Sequence, residues 1–421
     1  MTANENLTKS EEIVEALVKF SMKMASKMSL VVQWVLGLGV FSKNPTPTLP
    51  DREGAKHKKK KEMNSPYRGG QGDRRFGGVI LLLFSLQVTA QSGMSPSGMS
   101  PSGMPPSGMP PNSFSFLNIA NNARINALGG INVSLSDKDI NLFSFNPALL
   151  DSSQRGQIGV NYSPYLASSK FVSVNYSPKF KKNWAFSLQN LHYGTFQGTD
   201  AAGNLTNDFS ANDFSLGITH SRKINYISFG VTAKIVGSVL ESYSSVAFLT
   251  DLGGTFKHPK HDLSFGMVAK NIGFVLKSYG NIRPEIPFDL QVGASFKPKY
   301  MPVRFSLTGH HLYVFDIAYF DPKSGFTFDS QGNKIVKKIS TTDKIFRHLV
   351  IGTEVLIHPN FNLLLGYNFL RRKELIVSGL GGASGFSFGA NLRLKRIDFC
   401  LSHAVFTSPR GQTTFTLNWK K

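Results

Sequence analysis

From about residue 157 to the C-terminus, this chain repeatedly sets an apolar residue at every second position, and that two-residue period restricts its fold more than any other feature. Phe214, Leu216 and Ile218 alternate with Asp213, Ser215, Gly217 and Thr219. Phe229, Val231, Ala233 and Ile235 follow the same rule, as do Leu263, Phe265, Met267 and Ala269. So do Phe288, Leu290, Val292, Ala294 and Phe296, and later Phe386, Phe388, Ala390, Leu392 and Leu394. Side chains of a strand point to opposite faces in turn, so each run presents one face to something apolar. Three features choose lipid over a protein core. Many runs last about nine to eleven residues, the length that crosses a bilayer when tilted. Their polar faces are Gly, Ser, Thr and Asn with an occasional Lys or Arg, as a lumen requires. Aromatics gather near run ends, at Tyr162, Tyr165, Trp184, Tyr193, Tyr300, Tyr313, Tyr367 and Trp419, where a bilayer interface would hold them.

The predicted fold is therefore all-β, a transmembrane antiparallel β-barrel over residues 156–421. Counting runs gives about fourteen strands, an even number as single-chain bacterial barrels have. Thr414 to Trp419 is the predicted closing strand, and the strand-poor segments Thr199–Asn212 and Tyr319–Lys344 are predicted outer loops. The residues before 156 divide into four parts. Arg74-Arg75, the apolar stretch led by Val79 to Phe84, and Val88-Thr89-Ala90 form a secretory signal over residues 63–90. Translation is accordingly expected to start at Met63, with residues 1–62 a mis-annotated extension; a cytoplasmic extension with Leu30–Phe41 as a poor hydrophobic segment is the alternative. Residues 91–111 carry four Ser-Gly-Met-Ser/Pro-Pro repeats, a composition that cannot pack a core and reads as a disordered linker. Their methionines suit Cu(I), yet gene-repeat slippage accounts for the regularity, and no function is assigned to them. Residues 112–155 lose the alternation and read as an N-terminal plug, with Asn146-Pro147 as its tight turn.

A formal charge of +21 raises nucleic acid as a partner. Of the 47 basic residues, however, 14 lie in residues 1–90, including the run Lys58 to Lys61, and no nucleic-acid-reading motif accompanies them. No nucleic-acid partner is expected. A single cysteine, Cys400, excludes an internal disulfide and a cysteine-based metal site. Strand alternation sets Cys400 with Asp398 and Ser402, and His403 on the opposite face, so a Cys–His pair is disfavoured. His310 and His311 invite a metal, but neighbours on a strand point apart, one to the lumen and one to the interface. No catalytic, cofactor-binding or metal residue is predicted, and no enzyme. Arg371-Arg372-Lys373-Glu374 reads as a solvated charged turn, with Arg371 and Arg372 as candidates for docking or for lipopolysaccharide phosphate. Phe326 and Phe328 are candidates for a docking patch, or for a local hairpin held by its own aromatics.

Ordered blocks along residues 114–421 carry a resemblance. They include Phe116-Leu117-Asn118, Asn126-Ala127-Leu128-Gly129-Gly130, Asn141-Leu142-Phe143 and Phe145-Asn146-Pro147-Ala148-Leu149-Leu150. Leu240 to Ser245, Ala269 to Gly273, Pro287 to Gln291 and His310-His311-Leu312 follow, then Phe346 to Val350, Gly366 to Leu375 and Ser384 to Gly389. In this order the chain resembles the PorQ family, outer-membrane components of the type IX secretion system of Bacteroidetes, within the fatty-acid-transporter-like barrels. The resemblance implies a non-catalytic barrel that anchors an accessory surface protein. Its other implied partners are a sortase-like peptidase, a second barrel that shuttles cargo, and outer-membrane lipid with lipopolysaccharide. That complex cleaves sorting domains and attaches cargo to lipopolysaccharide. A channel for hydrophobic solutes is the alternative that the plug-like segment leaves open.

Overall fold

The structure, a computed structural model, describes residues 114–420 except 166–168, 200–202, 242, 280–284, 319–325, 329–330, 332–333, 337–338, 376–381 and 408–409. At 326–328, 334–336 and 410 only the backbone is described. The extension, the signal and the linker proposed for residues 1–111 lie outside these residues.

Fourteen strands close on themselves. They are β1 (Gln157–Pro164), β2 (Lys170–Tyr176), β3 (Trp184–Phe196), β4 (Phe209–Ile224), β5 (Ile227–Leu240), β6 (Tyr243–Lys257) and β7 (Asp262–Lys277). The circuit continues with β8 (Asp289–Lys297) and β9 (Val303–Gly309). A separate hairpin, β10 (Phe326–Phe328) with β11 (Lys334–Val336), then intervenes. It resumes with β12 (Leu349–His358), β13 (Phe361–Asn368), β14 (Phe386–Arg393), β15 (Ile397–Thr407) and β16 (Arg410–Lys420). Every barrel strand is antiparallel to both neighbours, and β16 pairs with β1 from Gln157↔Lys420 to Tyr162↔Phe415, so no edge remains open. The predicted closing strand closes the barrel.

The alternation is inside-out relative to a soluble protein. Along β1, Gln157, Gly159, Asn161 and Ser163 are buried while Ile158, Val160 and Tyr162 face outward. Phe229, Phe265, Met267, Phe386 and Phe388 are each about half exposed, forming an apolar outer belt. A closed wall with apolar exterior and hydrogen-bonded interior is one of the two architectures a bilayer accepts, and this one belongs to the bacterial outer membrane. Connections at one end are short, at 177–183, 225–226, 258–261, 298–302, 359–360 and 394–396. The longest, 310–348 and 369–385, share the other end, which is therefore the outer face. Trp184, Tyr226, Tyr300 and Trp419 ring the periplasmic rim, and Tyr162, Tyr313 and Tyr367 the outer one.

Two of the predicted girdle residues depart from it. Tyr193 donates its hydroxyl to Asp213 Oδ2 at 2.7 Å, and Tyr165 stands edge-on to the buried Phe406 at 6.1 Å; both turn inward at the mouth. The segment 319–344 is not strand-poor throughout: it contains the β10–β11 hairpin and the start of helix α2 (Thr341–Arg347). Helix α2 begins on Ser340, whose hydroxyl accepts the Asp343 N–H. Likewise the Thr199–Asn212 loop ends early, because β4 begins at Phe209.

Residues 114–156 fill the lumen. Helix α1 (Ala123–Ala127) opens on Asn122, whose side chain caps the Ile125 N–H at 2.9 Å, and Ala123 N–H donates to Thr416 Oγ1 of the wall. Asn141 then joins the barrel seam: it donates to Asn418 Oδ1 at 2.7 Å and accepts from Asn161 and Asn175 at 3.0 and 2.8 Å. Those three partners belong to β16, β1 and β2, so the plug holds the strands where the barrel closes. Backbone meets backbone where the wall carries no Cβ. A Cβ at Gly366 would collide with Leu128 and Gly129, and one at Gly266 with Val133.

The strongest plug-to-wall contact is ionic. Arg124, 2% exposed, donates from Nε and Nη2 to the two oxygens of Glu354 on β12 at 2.7 and 3.1 Å. Its Nη2 also reaches Asp137 Oδ2 at 2.9 Å. Arg304 on β9 shares Glu354 at 2.9 Å, and Arg393 on β14 shares Asp137 at 3.2 Å. Burial opposes ionisation of Asp137, but Arg124, Arg393 and Arg304 outweigh it and hold the carboxyl well below its usual range.

Removing one member leaves a buried charge unpaired. Arg124→Met is expected to destabilise the plug by about 3–5 kcal/mol, read as a lowered thermal midpoint and as protease sensitivity within residues 114–156. The double variant Arg124→Met/Glu354→Met should recover most of that loss; equal damage in both would argue against an ionic lock. Gly366→Val should also unseat the plug, since the plug backbone occupies the space its side chain needs; unchanged protease resistance would count against that packing.

Candidate functional site

With the plug in place, two recesses open among the described lumen residues. The smaller, about 20 Å³, has room for one water and is lined by Lys234, Asp251 and Lys270. Lys234 Nζ pairs with Asp251 Oδ1 at 2.7 Å and donates to Asn271 Oδ1 at 2.6 Å, while Asn271 N–H donates to Asp251 at 2.8 Å. Asn271 has φ 59° and lies where β6 and β7 slip register, at a bulge that resets which face points outward. Phe265 and Met267 face out before it, Ile272 and Phe274 after it. The cluster is thus explained as polar closure around a bulge.

The larger recess, about 430 Å³, opens at the outer mouth between the start of the plug and β3 to β5. Phe114, Phe196, Phe209 and Leu240 make it mainly apolar, with Asp213 and Tyr193 as a hydrogen-bonded polar pair. Phe196 and Phe209 stack at 5.4 Å across the β3–β4 pairing. A bulge at His192/Gly194 in β3 reverses the local alternation, so period-two reading could not place Tyr193 in this mouth.

The residues singled out in the sequence fall in different places. Asn146 and Pro147 do form a turn that binds plug to wall. Asn146 Oδ1 accepts from Ala148 N at 3.0 Å, and Nδ2 donates to Val133 O at 2.8 Å and weakly to Gly254 O at 3.3 Å. Phe326 and Phe328 lie on β10, opposite Val336 and Lys334, in a backbone hairpin; their side chains, on which both readings of this pair turn, lie outside the described residues. Arg371 and Arg372 are in a short helix, α3 (Phe369–Glu374), capped by Asn368, instead of a solvated turn. Helical spacing turns Arg371 inward, against Gly130 and over the Phe406 ring at 5.3 Å, and burial lowers its pKa. Arg372 donates to the Gly382 carbonyl. Cys400 is buried beside the plug core with Asp398 and Ser402 on its face, and His403 faces out to Phe388 at 5.6 Å.

One sequence expectation fails outright. His310 and His311 do not diverge: β9 ends at Gly309, His311 takes a left-handed φ of 54°, and the Nδ1 atoms meet at 2.6 Å. Alternation applies to extended backbone only, and here the chain has left the strand. Asp289, at the start of β8, completes a cluster whose ligand atoms all lie within 4.8 Å of one another.

No family model matches this chain, and no curated protein matches it. Solved barrels do. The toluene transporter TbuX of Ralstonia pickettii is 11% identical, with 73% of this chain and 99% of that one covered and a TM-score of 0.41. The toluene transporter TodX of P. putida is 13% identical over 72% and 97%, with a TM-score of 0.38. A Pseudomonas aeruginosa FadL homologue is 11% identical over 71% and 97%, with a TM-score of 0.37. No activity is carried over from these likenesses.

Proposed function

We propose that this chain is a non-catalytic, non-conducting outer-membrane barrel that anchors the surface complex of the type IX secretion system. The observation that carries an anchor over a pore is the plug. It crosses the lumen, its guanidinium is neutralised by wall and plug carboxylates, and its carboxamides tie the seam strands together. A barrel filled this way is a rigid wall presenting loops. The type IX assignment itself rests on the ordered residue blocks of the sequence. On this reading the 310–348 segment, with Phe326 and Phe328, docks the accessory protein, and Arg371 and Arg372 support the neighbouring 369–385 loop against lipopolysaccharide. The sortase-like peptidase and the cargo-shuttle barrel join through that accessory protein.

A second reading has its own observation: the apolar recess at the mouth is large enough for a small hydrophobic solute. It makes the barrel an uptake channel whose plug must move.

Two measurements separate the readings. In a strain lacking this gene, proteins bearing the sorting domain should escape uncut into the medium, and a Phe326→Ala/Phe328→Ala variant should fail to retain the accessory protein. Normal attachment in the deletion strain would sink the anchor assignment. In planar bilayers the purified barrel should pass no steady current, whereas Arg124→Met should show intermittent openings. Steady conductance by the wild type, or slowed hydrophobic-solute uptake with intact attachment in the deletion strain, would favour the channel.

A further inference from the structure

The outer end of the barrel holds one group of chemically reactive side chains that neither the plug nor the proposed anchoring role uses. His310 is almost fully buried, and His311 is about one-fifth exposed at its side chain. Their rings stand edge to face with centroids 4.8 Å apart. The Nδ1 atoms face each other at 2.6 Å, a hydrogen-bond spacing at which the two nitrogens share a single proton, never one proton each.

Asp289 stands across from them, with Oδ2 3.9 Å from His311 Nδ1. It is held in place: Oδ1 accepts the His311 N–H at 2.6 Å, and Oδ2 accepts from Gln291 Nε2 at 2.6 Å. An oriented carboxylate beside two imidazoles is a donor set that zinc and its neighbours prefer. His348 is close but committed elsewhere, its nitrogens lying 2.8 and 3.2 Å from the carbonyls of His310 and Phe315. The backbone also supports a built cluster. His311 is held at a left-handed φ of 54°, and that conformation is what turns adjacent rings to the same side.

We propose that His310 Nδ1, His311 Nδ1 and the Asp289 carboxylate form a binding site for a divalent zinc-class cation at the base of the 310–348 segment. Tetrahedral zinc with Zn–N near 2.0–2.1 Å sets its ligand atoms about 3.3 Å apart, so the imidazole pair opens by about 0.7 Å while Asp289 closes by about 0.6 Å toward His311 and by up to about 1.5 Å toward His310. Side-chain rotation supplies both movements. The exposed edge of His311 gives the entry path and leaves the fourth position to water. Bound there, the ion staples the first residues of the long outer segment to β8.

The test uses the full barrel, folded in detergent and prepared without a polyhistidine tag. After stripping with chelator and dialysis, Zn²⁺ is added and bound metal is counted by mass spectrometry; Co²⁺ in its place reports nitrogen–oxygen coordination by its visible ligand-field bands. One Zn²⁺ per chain is expected. His310→Ala, His311→Ala and Asp289→Asn should each abolish stoichiometric binding, and Gln291→Leu, which removes only the group orienting Asp289, should weaken it by about 10- to 100-fold. His192→Ala and His403→Ala, remote from the cluster, should bind normally. Retention of the heat-modifiable electrophoretic mobility of a folded barrel shows that each variant is intact, and Asp289→Asn, nearly isosteric, guards against loss by misfolding. Absence of Zn²⁺ uptake by the stripped wild type would overturn the proposal. So would undiminished binding by the folded His310→Ala/His311→Ala double variant.

Discussion

Everything in this molecule turns on what a buried guanidinium demands. Arg124 sits on a one-and-a-half-turn helix inside the barrel, 2% exposed, where an unpaired charge would cost several kcal/mol. Its partners must come from the nearest available backbone, and they come from two sources: Glu354 from the wall and Asp137 from farther along the plug. Each of those carboxylates is shared with a second wall arginine, Arg304 or Arg393. The plug therefore cannot be seated without β9, β12 and β14 in register. Those strands in turn carry inward charges that the plug helps to neutralise: Glu354 pairs with both Arg304 and Arg124, and Arg393 pairs with Asp137. The wall and its filling specify each other.

The same logic extends to neutral groups. A barrel whose outer face is apolar turns its polar face inward, and each inward amide or hydroxyl needs a partner that lipid cannot supply. Asn141 and Asn146 act as that partner, while Gln154 serves the plug's own backbone. Gln154 alone donates within reach of three plug carbonyls, those of Asp137, Asp139 and Leu149, at 3.0–3.2 Å. Glycines on the inner wall, Gly266 and Gly366 among them, let the plug backbone approach closely enough for these bonds to form. The core of this protein is accordingly polar and hydrogen-bonded at its surface, with small apolar clusters such as Leu128, Leu135 and Leu142 inside the plug itself.

How much of this a sequence displays depends on whether the determinant is periodic. The strand count and the closing role of Thr414 to Trp419 follow from a period of two that the wall keeps for most of its length, and the structure has them as predicted. What the period hides are the places where it breaks. The bulges at Gly194 and Asn271 each insert one residue, so Tyr193 enters the mouth and the outward set in β7 changes parity. His311 lies two residues beyond the end of β9, and its left-handed φ is invisible in a pattern of side-chain types. Arg371 was hidden differently. Four consecutive charged residues look solvated in any linear reading, yet a helix turns one in four toward the barrel, and Gly130 makes room for it. Arg124 carried no signal of its own, because its partners lie 13 and 230 residues away.

The position of the lock also bears on what the mouth can do. The apolar recess lies beside β3 to β5 in the outer half, whereas Arg304, Arg393 and Asp137 gather toward the periplasmic end of β9 and β14. A solute in the recess touches Phe114 and Ser115 but not the ionic cluster. Binding shifts a conformational equilibrium only by the difference in affinity between the two states. If releasing Arg124 costs about 3–5 kcal/mol, the unseated plug is populated at roughly one part in a hundred to one in ten thousand. A ligand would have to bind that state better by the same factor before it emptied the lumen. A small apolar solute contacting only the first residues of the plug has little surface with which to generate such a preference. The separation of recess from lock therefore leaves a solute in the recess with little leverage on the seating of the plug.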